Sequence, residues 1–420
     1  MDWYHYIALA AILSQLLFLV QTVNNYRYTL VKYKKKRSWH QLRTVLIVPC
    51  KGIDSAFHKN IASLFNQDYE NYLLWFVVAE KSDPAYEELC KLKDQLSQIS
   101  RAHEVRILVA GKVSESKQQD NNNNQAPKYA CSQKIHNLLH AYERIGDDID
   151  ALAFADSDIC VRTDWLSHLI WHLRLSKTGA TTGYRLFVPS SNNLATLALS
   201  AVNVKIAQLL GNTRFNQAWG GSMAIRVEVF REIGLDKIWP KTISDDLSLS
   251  RAVKKAGKKV EFVPACLVAS YEATTWQGLF EFARRQFVIT RVSTPLTWWF
   301  GLTSTLYSIL GLWAGSVLAI YAAIKTSISD YELMIITAVP VSFFIEQLSS
   351  AILRQKMISK VLQKDWANLK LVCVADIFLF WFWSLLLLFF IISSAFGRTI
   401  RWRGIRYKLL GPTETIIVNG

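Results

Sequence analysis

The chain has 420 residues, enough for one large domain or two ordinary ones. Lys and Arg number 48 against 33 Asp and Glu, a formal net charge of +15, while 51% of the residues are hydrophobic and the mean hydropathy is +0.15. The apolar content excludes disorder along the whole chain, and a nucleic-acid binder would carry its positive charge on a polar surface. A chain both basic and apolar is instead expected in a membrane, with a basic inner face.

From Tyr6 to Val23 run 18 residues without a formal charge, close to the ~20 needed to cross a hydrocarbon core, so residues 1–26 are predicted as an N-terminal anchor. Residues 27–43 form a basic juxtamembrane segment with Arg27, Lys32, Lys34, Lys35, Lys36 and Arg37, a cluster that stays on the cytoplasmic side. Residues 44–272 then hold no window long and apolar enough to span, and are predicted as a cytoplasmic domain. Strand-like runs alternate with helical patterns there: Thr44–Cys50, Leu73–Ala79, Val105–Val109 and Ala151–Ala155 as strands, with helices over Ala56–Gln67, from Pro84 to about Ile99, and after Lys128. That alternation predicts βαβ units, hence an α/β fold with a mostly parallel sheet and helices on both faces. Residues 111–128, with Asn121–Asn124 in a row, are predicted as a polar surface insertion.

Residues 273–294 are amphipathic and predicted to lie in the membrane interface. Residues 295–396 contain three apolar blocks, for two to three spans; Pro340 and Glu346 make the second block the imperfect one. The basic tail over residues 397–420 carries Arg398, Arg401, Arg403, Arg406 and Lys408, and is expected on the cytoplasmic side. The six cysteines lie singly with no CxxC pair, which argues against a disulfide framework or structural zinc and suits a reducing compartment.

In an open α/β sheet, ligands collect beyond the carboxyl ends of the strands. Lys51, Glu80 with Asp83, and the Asp156/Asp158 pair stand at three such ends. Asp156-Ser157-Asp158 is the sharpest signal: two carboxylates just past a buried strand can reach a hard divalent cation, unless they merely cap the next helix. Ser244-Asp245-Asp246 opens a helix, where Ser244 serves as N-cap and the acids suit the helix dipole; one of them could equally act as a general base. Trp219-Gly220-Gly221 offers close backbone approach beside an aromatic wall, or an ordinary turn before a strand over Ser222–Arg226. His168 and His172 are four apart without a Glu between them and are expected to pack rather than bind metal. Neither GxxxxGK[ST] nor GxGxxG occurs, which lowers kinase, ATPase and dehydrogenase readings.

Taken in order, the stretches VLIVPCKGID, VVAEKSDPAYE, SQKIHNL, FADSDICV, AWGGSMAIR and ISDDLSLSRAVKKAG resemble family-2-type inverting glycosyltransferases of the GT-A fold, and among them the ceramide glucosyltransferase-like group. The resemblance covers roughly Thr44 to Val292 and extends to the arrangement of anchors. It implies that Glu80, Lys134, Asn137 and Asp156 contact the nucleotide sugar, with Lys51 beside them. Asp158 would hold a divalent metal, Mn²⁺ or Mg²⁺, at the diphosphate of a UDP-sugar. It implies Asp246 as catalytic base, with Asp245, Trp219, Gly220, Gly221, Arg284 and Arg285 on the acceptor or diphosphate side. The Q/R-x-x-R-W element of the family reads Ala283-Arg284-Arg285-Gln286-Phe287 here, a departure that leaves the arginines to supply the charge.

The reaction so implied is transfer of a hexose from UDP-sugar to a membrane lipid hydroxyl, of ceramide or diacylglycerol type, with inversion. A processive polysaccharide synthase would need more spans and an intact Q-x-x-R-W, and a non-enzymatic nucleotide-binding membrane protein or transporter is the alternative from another class. The expected partners are the UDP-sugar, the lipid acceptor and the bilayer, with no nucleic acid.

Overall fold

The computed structural model describes residues 3–35, 42–54, 56–113, 129–325 and 328–418. Most of the polar insertion expected at 111–128, from residue 114 on, lies outside them, as do Lys36 and Arg37 of the basic segment.

Helix α1 (Trp3–Tyr33) leads into an α/β unit of β1 (Thr44–Pro49), α2 (Phe57–Phe65), β2 (Tyr72–Val78), α3 (Pro84–Leu96), β3 (Glu104–Val109), α4 (Gln133–Tyr142) and β4 (Ala151–Ala155). It continues through α5 (Trp165–Trp171), β5 (Thr178–Pro189), α6 (Leu194–Ala207), β6 (Ser222–Arg226), α7 (Val227–Glu232), α8 (Leu235–Ile238), α9 (Asp245–Lys255) and β7 (Lys259–Glu272). The seven strands form one sheet in the order β3-β2-β1-β4-β6-β5-β7. Four neighbouring pairs are parallel, and β6 is antiparallel to both β4 and β5. This is the mostly parallel GT-A-like sheet that the alternation predicts. Four of the runs read as strands are β1 to β4 and the fifth, Ser222–Arg226, is β6; what the alternation does not distinguish is that β6 runs antiparallel to its neighbours.

The sheet is buried on both faces because alternate residues of each strand face opposite ways. Leu46, Val48, Leu74 and Phe76 pack with Phe57, Leu89 and Trp165 on one side, while Val45, Ile47, Trp75 and Phe154 pack with Leu138, Phe230 and Trp239 on the other. Long β7 carries Pro264 in its interior, which an edge strand tolerates because no neighbour needs that N–H on its outer side.

The C-terminal part comprises α10 (Trp276–Ser293), α11 (Pro295–Ile309), α12 (Gly315–Ile324), α13 (Asp330–Val361), α14 (Trp366–Phe378), α15 (Phe380–Ser393) and a three-stranded sheet of β8 (Thr399–Trp402), β9 (Ile405–Gly411) and β10 (Glu414–Ile417). Tyr4–Tyr33, Pro295–Ile324 and Asp330–Val361 are long and apolar enough to cross a membrane. The second of these passes through a π-turn at Leu310–Ala314, where Gly311 and Gly315 admit Phe343 and Pro340 of α13.

The imperfect block is not the one expected. Helix α13 runs unbroken through Pro340, whereas α14 and α15 meet at Leu379 with a bend of 88°. Buried Asp376 receives two hydrogen bonds of 2.5 Å from the Arg354 guanidinium and one of 2.6 Å from Gln355 near that elbow. Beyond α15 the tail sheet docks on the α/β unit: Ala130 N donates to Thr415 O at 2.7 Å, and Tyr407 is buried with Ile243 and Val288.

Candidate active site

Most of the proposed site residues gather where β1 and β4 end and where β6, α4 and α9 begin. Ser132 caps α4, accepting from Ile135 N, and this fixes Lys134 in its first turn. The Lys134 ammonium lies 2.7 Å from Asp156 Oδ1 and 3.1 Å from Asp245 Oδ2, so one cation ties the end of β4 to the start of α9. Burial works against its charge, but Asp156, Asp245 and Asp246 together hold the ammonium well above its ordinary value.

At α9, Ser244 accepts from Leu247 N as the N-cap, as its sequence position predicts. Asp245 is buried and its carboxyl is pushed up to about 6, first by burial and then by Asp246 and Asp156, against the pull of Lys134. Asp246 is only half-buried. Its Oδ2 accepts from Gly220 N at 3.0 Å, and its Oδ1 accepts from Leu247 N at 2.7 Å and from the Ser244 hydroxyl. The glycines are required by close approach: a Cβ on Gly220 would sit 2.3 Å from Asp245 Oδ2, and one on Gly221 would sit 2.7 Å from Asp156 Oδ2. Trp219 stands edge-on to Tyr184 at 5.9 Å, and its backbone N–H donates to Thr182 Oγ1 at 2.9 Å.

Asp156 and Asp158 do not cap a helix, since α5 begins only at Trp165 after Asp164. Burial and the neighbouring Asp156 raise the Asp158 carboxyl, and its Oδ2 faces Arg185 at 3.5 Å. Asp158 Oδ1 is buried without a hydrogen-bond partner among the described residues. An orphaned carboxylate oxygen beside a second carboxylate suits a hard divalent cation completed by a ligand's own oxygens.

Arg185 escaped the sequence reading. Its signal was a lone cation in the apolar run of β5, where it stacks over Phe187 at 4.6 Å and near Trp219 at 5.5 Å. Asn137 is buried and faces inward as a brace, donating to Val77 O at 3.2 Å and accepting from Gln133 at 2.8 Å. Glu80 pairs with Lys112 at 2.7 Å on the surface and is not among the residues that line the cavity. Arg285 faces the cavity from α10, whereas Arg284 donates to Phe396 O at 2.9 Å and so holds the turn after α15. Lys51 gives its ammonium to the Arg403 carbonyl at 2.7 Å. His168 and His172 are buried beside Asp164 and Glu261, as packing residues.

A model of glycosyl transferase family 21 matches residues 6–414, nearly the whole chain. The chain belongs to that family. Among solved structures it is similar to the mannosyltransferase PcManGT from Pyrobaculum calidifontis in complex with GDP-Man and Mn²⁺, at 11% identity over 93% of this chain and 97% of that one, with a TM-score of 0.44. It is also similar to GalNAc-T7 with UDP, GalNAc and Mn²⁺, at 13% identity over 61% of this chain and 51% of that one, with a TM-score of 0.38. For this family 21 member, the cluster of Asp156, Asp158, Lys134, Asp245 and Asp246 is the candidate catalytic centre.

One cavity of about 2190 Å³ joins that centre to the apolar helices. Its wall includes Lys134, Asp158 and Asp246 at one end, and Trp298, Phe300, Leu387 and Ile391 at the other. Trp298 is buried and anchored by an indole N–H donated to Ser394 Oγ at 2.8 Å, while its neighbour Trp299 stays exposed.

Proposed function

We propose that this chain transfers a hexose from a UDP-sugar to the hydroxyl of a membrane lipid, ceramide or diacylglycerol in type, with inversion at the anomeric carbon. The observation that carries the reading is the cavity that runs from the carboxylate cluster to Trp298 and the apolar helices. Its volume of about 2190 Å³ exceeds the few hundred to ~1,000 Å³ typical of a pocket for one small ligand, and leaves room for a donor and the head of a lipid together.

In this reading Asp246 takes the proton of the acceptor hydroxyl, and the freed oxygen electron pair forms the new bond to the anomeric carbon. The bond from that carbon to the diphosphate breaks from the opposite face, and UDP leaves with both electrons. Gly220 N–H and Leu247 N–H hold the Asp246 carboxylate in orientation for this. Lys134 and Arg285 supply positive charge where the diphosphate leaves, and Trp219 walls the sugar. A divalent cation bound by Asp158, with Asp156 beside it, would neutralise charge developing on the leaving group. The α/β unit then lies on the cytoplasmic side, with the acceptor entering from the bilayer past α10 and Trp298–Trp299.

The test is a panel of labelled UDP-sugars given to the detergent-solubilised chain with mixed lipids, with and without Mn²⁺ or Mg²⁺. A labelled glycolipid formed only with metal is expected. Labelled polymer would replace this reading with a polysaccharide synthase, and no turnover with any donor would favour a non-enzymatic nucleotide binder.

A further inference from the structure

The tail hairpin holds a conformation that its sequence disfavours. Strands β8 and β9 are joined by Arg403-Gly404, with φ of 48° and 90°, and Arg403 is the one non-glycine residue at positive φ among those described. Two-residue turns of this kind favour Asn, Asp or Gly at the first position: Cβ crowds the following carbonyl there, glycine has none, and the short polar side chains of Asn and Asp hydrogen-bond locally. Such backbone persists where the surroundings hold it, and it marks candidate functional positions.

The surroundings here are Lys51. Its ammonium donates to Arg403 O at 2.7 Å, and the Arg403 guanidinium donates back to Lys51 O at 3.3 Å. The loop after β1 is itself fixed, since Gly52 N donates to Asp83 Oδ1 at 2.8 Å. The turn is thus stapled to the carboxyl end of a central strand, 352 residues away in sequence.

The guanidinium is exposed on the wall of the same cavity as Lys134, Asp158, Arg185 and Arg285. Arg185 has Asp158 within reach, but among the described residues neither Arg285 nor Arg403 has a carboxylate at ion-pair distance. Burial pushes the Arg285 guanidinium below its usual range, and the charges of Arg185 and Arg403 act in the same direction. Glu272 shares this wall and feels both Arg185 and Arg403, but one carboxylate does not balance three guanidinium groups, and the planar guanidinium is shaped for the oxygens of a multiply charged phosphate.

We propose that the C-terminal hairpin is a third wall of the donor site, in which Arg403 binds the diphosphate of the nucleotide sugar and Lys51 holds the turn that aims it. This rests on the nucleotide-sugar reading above. The basic tail then has a binding role as well as a topological one, and Arg403 is paired to the site by folding rather than by sequence proximity.

The decisive variant is Arg403→Gly, because glycine suits positive φ better than arginine and the turn should form at least as readily. Titration of the full chain with UDP and with uridine reads the outcome. The expected result is a melting temperature equal to or above wild type, UDP bound about tenfold more weakly, which corresponds to ~1.4 kcal/mol, and uridine bound unchanged. Arg403→Lys should recover part of the UDP affinity, and Lys51→Met should weaken UDP binding by a smaller factor. If Arg403→Gly binds UDP like wild type, or loses UDP and uridine equally, the proposal is wrong. A wild-type chain that binds no nucleoside diphosphate overturns the nucleotide-sugar reading itself, and with it this one; that result is seen before any variant is made.

Discussion

Gly220 N–H donates to Asp246 Oδ2 at 3.0 Å, so a turn before β6 holds a carboxylate on the first turn of α9. Of the two adjacent acids, Asp246 is half-buried and Asp245 is buried. Asp246→Asn keeps the shape but removes the base, and its single amide oxygen can accept from the Gly220 side or the Leu247 side but not both. Turnover should fall by about 10²- to 10⁴-fold, with UDP affinity within a factor of a few of wild type. Gly220→Ala should lose both, because its Cβ would meet Asp245 Oδ2 at 2.3 Å and Lys134 Nζ at 2.7 Å. Rapid-quench turnover together with equilibrium UDP binding separates the two; wild-type turnover in Asp246→Asn would remove it from the chemistry.

Lys134 is the only cation within ion-pair distance of Asp156 and Asp245 among the described residues. Lys134→Met leaves buried carboxylates facing one another, and breaking such a pair costs about 3 kcal/mol. The double variant Lys134→Met/Asp245→Asn should recover most of that stability while UDP binding stays weak. Chemical denaturation of the two variants checks the first part and ligand titration the second. Recovery of both in the double variant would mean that Lys134 serves stability alone.

Much of this centre was legible from the sequence because short motifs sit at strand ends. ALAFA followed by Asp-Ser-Asp, and Ser-Asp-Asp ahead of a helical pattern, place their carboxylates by local rules of strand and cap. What the sequence hid depends on contacts across the chain. Arg185 lies in a run with no local feature except its own charge, and only the pairing of β5 with β7 and β6 turns it toward Asp158. The break between α14 and α15 has no proline, whereas Pro340 lies inside a helix that stays continuous and packs close to Gly315. The tail sheet is a matter of docking, and its short strands read from sequence only as a basic terminus.

Asp245 sets a pH dependence. Its carboxyl stands near 6 in the folded chain, above the ordinary carboxylate value, so the fold binds this proton more tightly than the unfolded chain does. The resulting cost is absent at low pH, grows as pH rises from about 4, and is complete above about 6. Asp245→Asn never carries the charge. It should melt ~1–3 °C above wild type at pH 8, with the difference narrowing through pH 6 and vanishing near pH 4. A constant difference across that range would assign the effect to packing instead of charge.

The docked tail predicts sidedness. Helix α1, the Pro295–Ile324 segment and α13 are each long enough to cross, and the α/β unit lies between the first and second. A pair bent by 88° after α13 can enter and leave on one side, which returns β8 to β10 to the face where the α/β unit waits. Arg398, Arg401, Arg403, Arg406 and Lys408 then share a side with the basic stretch after α1, as the positive-inside bias requires. In sealed vesicles of the chain freed of its native cysteines, Lys408→Cys and Arg101→Cys should react with an impermeant maleimide from the same side, and Asp330→Cys from the other. Lys408→Cys labelled together with Asp330→Cys would make α14 and α15 a full crossing, and the contact of Tyr407 with Ile243 could then not form in the membrane.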